Sequence, residues 1–149
     1  MRRLMKKYWT IFRVGFFILR VRLLLRFLSL PQVLGTLEPS PGAKPTLGAS
    51  LDNVIYYVDR WLLLFPYNRK GNCFPRSVAL YRYARRAGIP VRLHCGVRRS
   101  GGKLDGHAWL TLDGQPFQEL SRQWQQFTVT FSYPSESRTT DRTGHPAHG

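Results

Sequence analysis

Between Val91 and Phe131 the chain shifts to a hydrophobic period of two, and this stretch restricts the possible folds more than any other. Val91, Leu93, Cys95 and Val97 fall on one side of an extended backbone, and Arg92, His94 and Arg98 on the other. Ser100-Gly101-Gly102 breaks the pattern, His107 to Leu112 reads as a second strand, and Asp113-Gly114 is a tight-turn pair. Phe117 to Leu120 and Phe127 to Phe131 read as third and fourth strands. Short strands joined by glycine turns run antiparallel. Upstream, Leu51 to Phe65 has helical character, with Ser50 or Asp52 as N-cap and Pro66 as its stop. A further helix is expected from about Phe74 to Ala87, with Pro75 tolerated in its first turn and Gly88 ending it. Helices followed by an antiparallel meander make an α+β domain.

The flanks differ in character. Residues 1 to 35 hold eight basic residues and no acidic one, and read as an apolar, basic helical extension stopping at Pro31 to Gly35. At about 100° per residue its apolar side chains do not gather on one face, so the helix either breaks near Gly15 or packs on several sides. Arg13, Arg20, Arg22 and Arg26 interrupt it, and its central uncharged run, Val14 to Leu19, is far shorter than the roughly 20 residues of a bilayer span. No signal-peptide cleavage site follows, and a cytoplasmic location is expected. Residues 36 to 50, with Pro39, Pro41, Pro45, Gly42 and Gly48, compose a linker. Residues 51 to 134 are the densest folded part, and 135 to 149 form a polar tail expected to be disordered.

Charge and cysteine content narrow the partners and the compartment. Twenty-three Lys and Arg against eight Asp and Glu leave a net charge of +15, which suits an acidic partner without choosing nucleic acid, lipid or protein. Residues 60 to 104 contain eleven basic residues and no acidic one; Arg82, Arg85 and Arg86 share a helix side that reads equally as solvated or as a surface for an acidic leader or protein. Two cysteines, Cys73 and Cys95, cannot make a disulfide framework, so a reducing environment is expected. Cys95 alternates with core residues, whereas His94 faces away from them. A zinc site from Cys73, His94, Cys95 and His107 lacks CxxC or HxxxH spacing, so no metal and no cofactor are expected.

Cys73 has a different setting. It stands where a loop enters a helix, and a helix N-terminus offers partial positive charge and free amides to a thiolate or an oxyanion. His107 opens a strand, which would hold a general base rigidly, and an acid on the next strand would orient its ring.

The order of cysteine at a helix start, histidine on a strand and acid on the next strand is that of the transglutaminase-like cysteine enzymes. Gly71-Asn72-Cys73-Phe74-Pro75-Arg76-Ser77-Val78-Ala79-Leu80, Arg86-Ala87-Gly88-Ile89-Pro90-Val91, Cys95-Gly96-Val97-Arg98, Gly106-His107-Ala108-Trp109 and Asp113-Gly114 together resemble the lasso-peptide B2 proteins, transglutaminase-like leader peptidases of bacterial biosynthetic clusters. The resemblance covers about Val54 to Glu119. It implies a papain-like core in which the helix bearing the cysteine packs on an antiparallel sheet. Cys73 would be the nucleophile that cuts a precursor peptide between leader and core through a thioester, with His107 as base and then acid. It also implies a small leader-binding partner of the B1 type and a separate ATP-dependent lasso cyclase downstream.

The third member is Glu119, where the family generally has an aspartate. A two-residue turn at Asp113-Gly114 would place Glu119 on the face opposite His107, so the triad requires a longer turn or a bulge, and Asp105 is the alternative acid. Three other functions compete: acyl transfer to an amine, nucleic-acid binding by a basic module, and attachment of residues 1 to 35 to a membrane surface. No RNA- or DNA-binding motif accompanies the charge, so nucleic acid is not the expected partner.

Overall fold

A computed structural model describes residues 2–40, 50–65, 71–119 and 122–135. Four helices, α1 (Arg2–Phe27), α2 (Leu30–Leu37), α3 (Leu51–Leu63) and α4 (Cys73–Arg86), precede four strands. The strands are β1 (Arg92–Ser100), β2 (Lys103–Leu112), β3 (Gln115–Phe117) and β4 (Thr128–Tyr133), with a 3₁₀ turn at Trp124–Gln126. All pairings are antiparallel, in the order β3-β2-β1-β4. The class is therefore α+β, as the patterning indicates. β1 to β3 form the expected meander, but β4 crosses back to pair with β1 on the far side.

α1 is continuous through Gly15. The glycine makes room for Trp61 of α3: a Cβ there would stand 2.3 Å from Trp61 Cε2. Trp61 Nε1 also donates to the Ile11 carbonyl at 2.9 Å, so the two helices are joined by packing and a hydrogen bond. Pro31 starts a helix rather than stopping one. Ser29 donates its backbone N–H and its hydroxyl to Gln32 Oε1, at 3.0 and 2.8 Å. Pro31 then falls in the first turn of α2, where a missing N–H costs no intrahelical bond.

α2 is clamped by arginines of α4. Arg82 Nη1 donates to the Leu37 carbonyl at 2.7 Å, and Arg85 pairs with Glu38 at 2.7 Å. Tyr81, wholly buried, donates to the other Glu38 oxygen at 3.0 Å. Arg82 and Arg85 thus form neither a solvated face nor a free docking surface; they hold two helices together.

One core joins all these elements. Val14, Ile18 and Val21 of α1 and Val33, Leu34 and Leu37 of α2 are buried in the same cluster as Val58, Val78, Leu80, Leu93 and Leu110. The leading helices are therefore packed into the wall of the fold. Of the expected linker, residues 41–49 lie outside the described residues, as do residues 136–149 of the expected disordered tail. Among the described residues no helix is long and apolar enough to cross a membrane.

Candidate active site

Cys73 is the first residue of α4, and the loop before it is held from two directions. Asn72 Nδ2 donates to the Leu62 carbonyl at the end of α3 (3.1 Å), while Asn72 Oδ1 accepts from Arg22 Nη1 of α1 (3.2 Å). Gly71 reaches this approach with φ of 71°, a conformation that costs glycine little. α1 thereby helps to place the sulfur, although Arg22 lies far away in sequence.

His107 sits on β2 opposite Gly96 of β1. Its ring stacks on Trp109 (centroids 5.8 Å apart, planes 14° apart) and leans on Phe127 (5.2 Å). This close packing depends on Gly96. A Cβ at that position would come within 2.8 Å of the Thr128 carbonyl and 3.0 Å of the Trp109 ring. The glycine of the Cys95-Gly96-Val97-Arg98 motif therefore has a steric role beside the imidazole.

Glu119 completes the cluster: its Oε1 lies 3.2 Å from His107 Nε2. Both side chains are largely buried, with exposures of 16% for His107 and 8% for Glu119. The turn at Asp113-Gly114 is of the two-residue kind, since Leu112 pairs with Gln115 and Leu110 with Phe117. Regular alternation would then point Glu119 away. It does not, because β3 ends at Phe117 and Gln118 takes a left-handed φ of 53°. The irregularity that the triad required is this single residue. Asp105 turns elsewhere and pairs with Arg98 at 3.3 Å.

Two further residues of α4 hold this geometry, and sequence reasoning passed over both. Arg76 donates Nε and Nη2 to the Asp59 carboxylate (2.6 and 3.2 Å) and Nη1 to the Gln118 carbonyl (2.7 Å). It therefore fixes the residue that directs Glu119 from the same helix that carries the sulfur. Ser77, buried, donates its hydroxyl to the Ala108 carbonyl at 2.8 Å, next to His107. The Arg76-Ser77 pair lies within the quoted motif, but only the partners reveal what it does.

The electrostatics follow from these contacts. Hydrogen bonding to Cys73, then to Glu119, outweighs burial and raises the His107 imidazole from 6.5 to about 9. The ring is thus protonated at neutral pH, with Nε2 engaged by Glu119 and Nδ1 left for the sulfur. Burial pushes the Cys95 thiol up to about 12, with Cys73 nearby as a secondary cause, as befits a packed residue. His94 is also spoken for: Ser132 Oγ and Thr111 Oγ1 each lie 2.8 Å from its ring nitrogens, and it stacks on Trp109. No cluster of three metal-ligating side chains occurs among the described residues.

A thiol at a helix N-terminus, an imidazole on the central hairpin and a carboxylate behind it can perform acyl transfer through a thioester. The family model of the transglutaminase-like superfamily matches residues 16–132. The chain belongs to that superfamily. Proteins of this transglutaminase-like class are often cysteine-dependent enzymes. The match begins within α1 and runs into β4. No curated protein and no solved structure matches the chain.

Proposed function

We propose that this transglutaminase-like protein is a cysteine endopeptidase that removes the leader from a ribosomally made lasso precursor peptide. The observation that carries the reading is the convergence of Cys73, His107 and Glu119. The assignment of the precursor rests on the ordered motifs around those residues, which resemble the lasso-peptide B2 proteins.

The chemistry proceeds in two halves. The Cys73 thiolate attacks the carbonyl at the leader–core junction, and the α4 N-terminus stabilises the negative charge on oxygen. Protonated His107 gives its proton to the departing core amine as the C–N bond breaks, leaving the leader as a thioester on sulfur. Neutral His107 then takes a proton from water, whose oxygen attacks the thioester. The C–S bond breaks, releasing the leader as a carboxylic acid and restoring the thiolate beside a protonated ring. Glu119 holds the imidazole in the orientation that both steps use. The freed core amine would pass to a lasso cyclase, and a B1-type protein would deliver the precursor.

The test mixes the purified chain, a leader-binding partner and a precursor, and follows product mass. Cleavage that disappears with Cys73→Ala supports the proposal, and cleavage that persists overturns it. Membership of a transglutaminase-like class keeps acyl transfer to an amine as the second reading. Hydrolysis adds water to the leader, whereas transfer adds the acceptor amine, so the same spectrum separates them.

A further inference from the structure

α1 is apolar on two opposite faces, and among the described residues only one of them is packed into the core. Val14, Ile18 and Val21 are buried against the core. About half a turn of the wheel away, Met5, Trp9, Phe12, Phe16, Leu19, Leu23 and Phe27 fall within an arc of about 80°. All seven are 54–74% exposed. They make an unbroken apolar ridge roughly 33 Å long, with no polar side chain within it. Soluble domains seldom leave so large a contiguous patch open without a use for it.

The edges of the ridge identify its occupant. Lys6, Arg13 and Arg20, all exposed, follow one side at intervals of one heptad, and Arg26 lies on the other. α1 contains no acidic residue. A second copy of this chain would set two such cationic helices against each other. The ridge belongs to a single helix, with an open hollow among Met5, Lys6, Tyr8, Trp9 and Phe12, and every charge along its edges is positive. An apolar strip of Trp, Phe and Leu flanked by long cationic side chains suits the headgroup boundary of an anionic bilayer. There the apolar strip sinks below the phosphates while arginine and lysine stems reach back to them. α1 cannot cross a membrane, so it would lie along the surface.

We propose that α1 is the face by which this protein settles on an anionic lipid surface. The inference is independent of which acyl acceptor or peptide the site uses.

The test is co-sedimentation of the full chain with phosphatidylcholine vesicles, with and without phosphatidylglycerol. A quencher placed in the acyl chains reports on Trp9 by comparison with Trp9→Phe. Two variants confined to exposed positions dissect the contact: Trp9→Ser/Phe12→Ser/Phe16→Ser, and Lys6→Gln/Arg13→Gln/Arg20→Gln. The expected result is binding to anionic vesicles, quenching that Trp9→Phe reduces, and a loss on the order of 100-fold in the charge variant. The apolar variant should lose at least as much, while melting temperature and Cys73 alkylation rate stay unchanged. Failure of the folded chain to bind anionic vesicles overturns the proposal, as does binding that the apolar variant retains in full. A dimer that the apolar variant dissociates, or an acidic protein held by this ridge in place of lipid, would also overturn it.

Discussion

Glu119 Oε1 lies 3.2 Å from His107 Nε2, and the contact exists because Gln118, between strand and carboxylate, adopts φ of 53°. A left-handed residue costs a non-glycine side chain about 1–3 kcal/mol, so it must be held from outside. Arg76 holds it by the carbonyl.

Gln118 can therefore be tested by conformation alone. Glycine accepts φ of 53° freely, whereas a β-branched residue resists it. Gln118→Gly should keep the alkylation rate of Cys73 and the His107 titration midpoint of the native protein. Gln118→Val should slow alkylation on the order of 10- to 100-fold and lower the midpoint as Glu119 swings away. Equal behaviour of the two variants would show that the backbone there does not position Glu119.

Arg76 is a positioning residue, since its guanidinium touches Asp59 and Gln118 but not the imidazole. Lysine cannot reproduce a fork that serves a carboxylate and a carbonyl together. Arg76→Lys should lower the His107 midpoint, and Arg76→Ala should also cost about 1–3 kcal/mol of stability through the unpaired groups it leaves. The readouts are imidazole NMR and urea unfolding. A loss of stability with an unchanged midpoint would reduce Arg76 to a structural tie.

The raised His107 pKa has a definite sign. The fold favours the protonated ring, so its contribution to stability is complete below about pH 6.5 and is lost as pH rises through about 9. Unfolding of the native protein and of His107→Gln, compared across that range, should show an advantage at the acid end that fades toward the alkaline end. If the proposed hydrolysis is assayed, its alkaline limb should fall near 9 and shift lower in Glu119→Gln. An advantage that grows with pH would contradict this assignment.

The two thiols should differ in accessibility. Cys95 is buried, with its thiol pushed up to about 12, while Cys73 is partly open at the start of α4. Brief treatment with iodoacetamide at neutral pH should modify Cys73 and spare Cys95, as read by peptide mass. In Cys73→Ala the native chain should remain unmodified until denaturant is added. Ready modification of native Cys95 would show that the core is looser than its packing indicates.

The local pattern carried most of the element assignments. Pro75 and Gly88 bracket α4, alternation from Val91 marks β1, and Asp113-Gly114 marks the hairpin. Each rests on backbone preferences of a residue and its immediate neighbours. α1 is helical over Arg2–Phe27, but its continuity through Gly15 does not follow from local preference, because Trp61 fills the gap. The start of α2 just before Pro31 is equally hidden, since the same proline can end a helix or stand in the first turn of one.

By itself the sequence determined an α+β chain with a cysteine opening a helix and a histidine on a strand, because turns, caps and period are properties of neighbouring residues. It could also nominate Glu119, but not aim it. Only the tertiary structure decided that Gln118 would leave strand geometry, that Arg76 would hold it there, and that Arg22 would steady the loop before Cys73. It also decided which face of α1 the core would take and which it would leave open. These are meetings of side chains far apart along the chain, and their geometry arises only when helices and sheet are packed together.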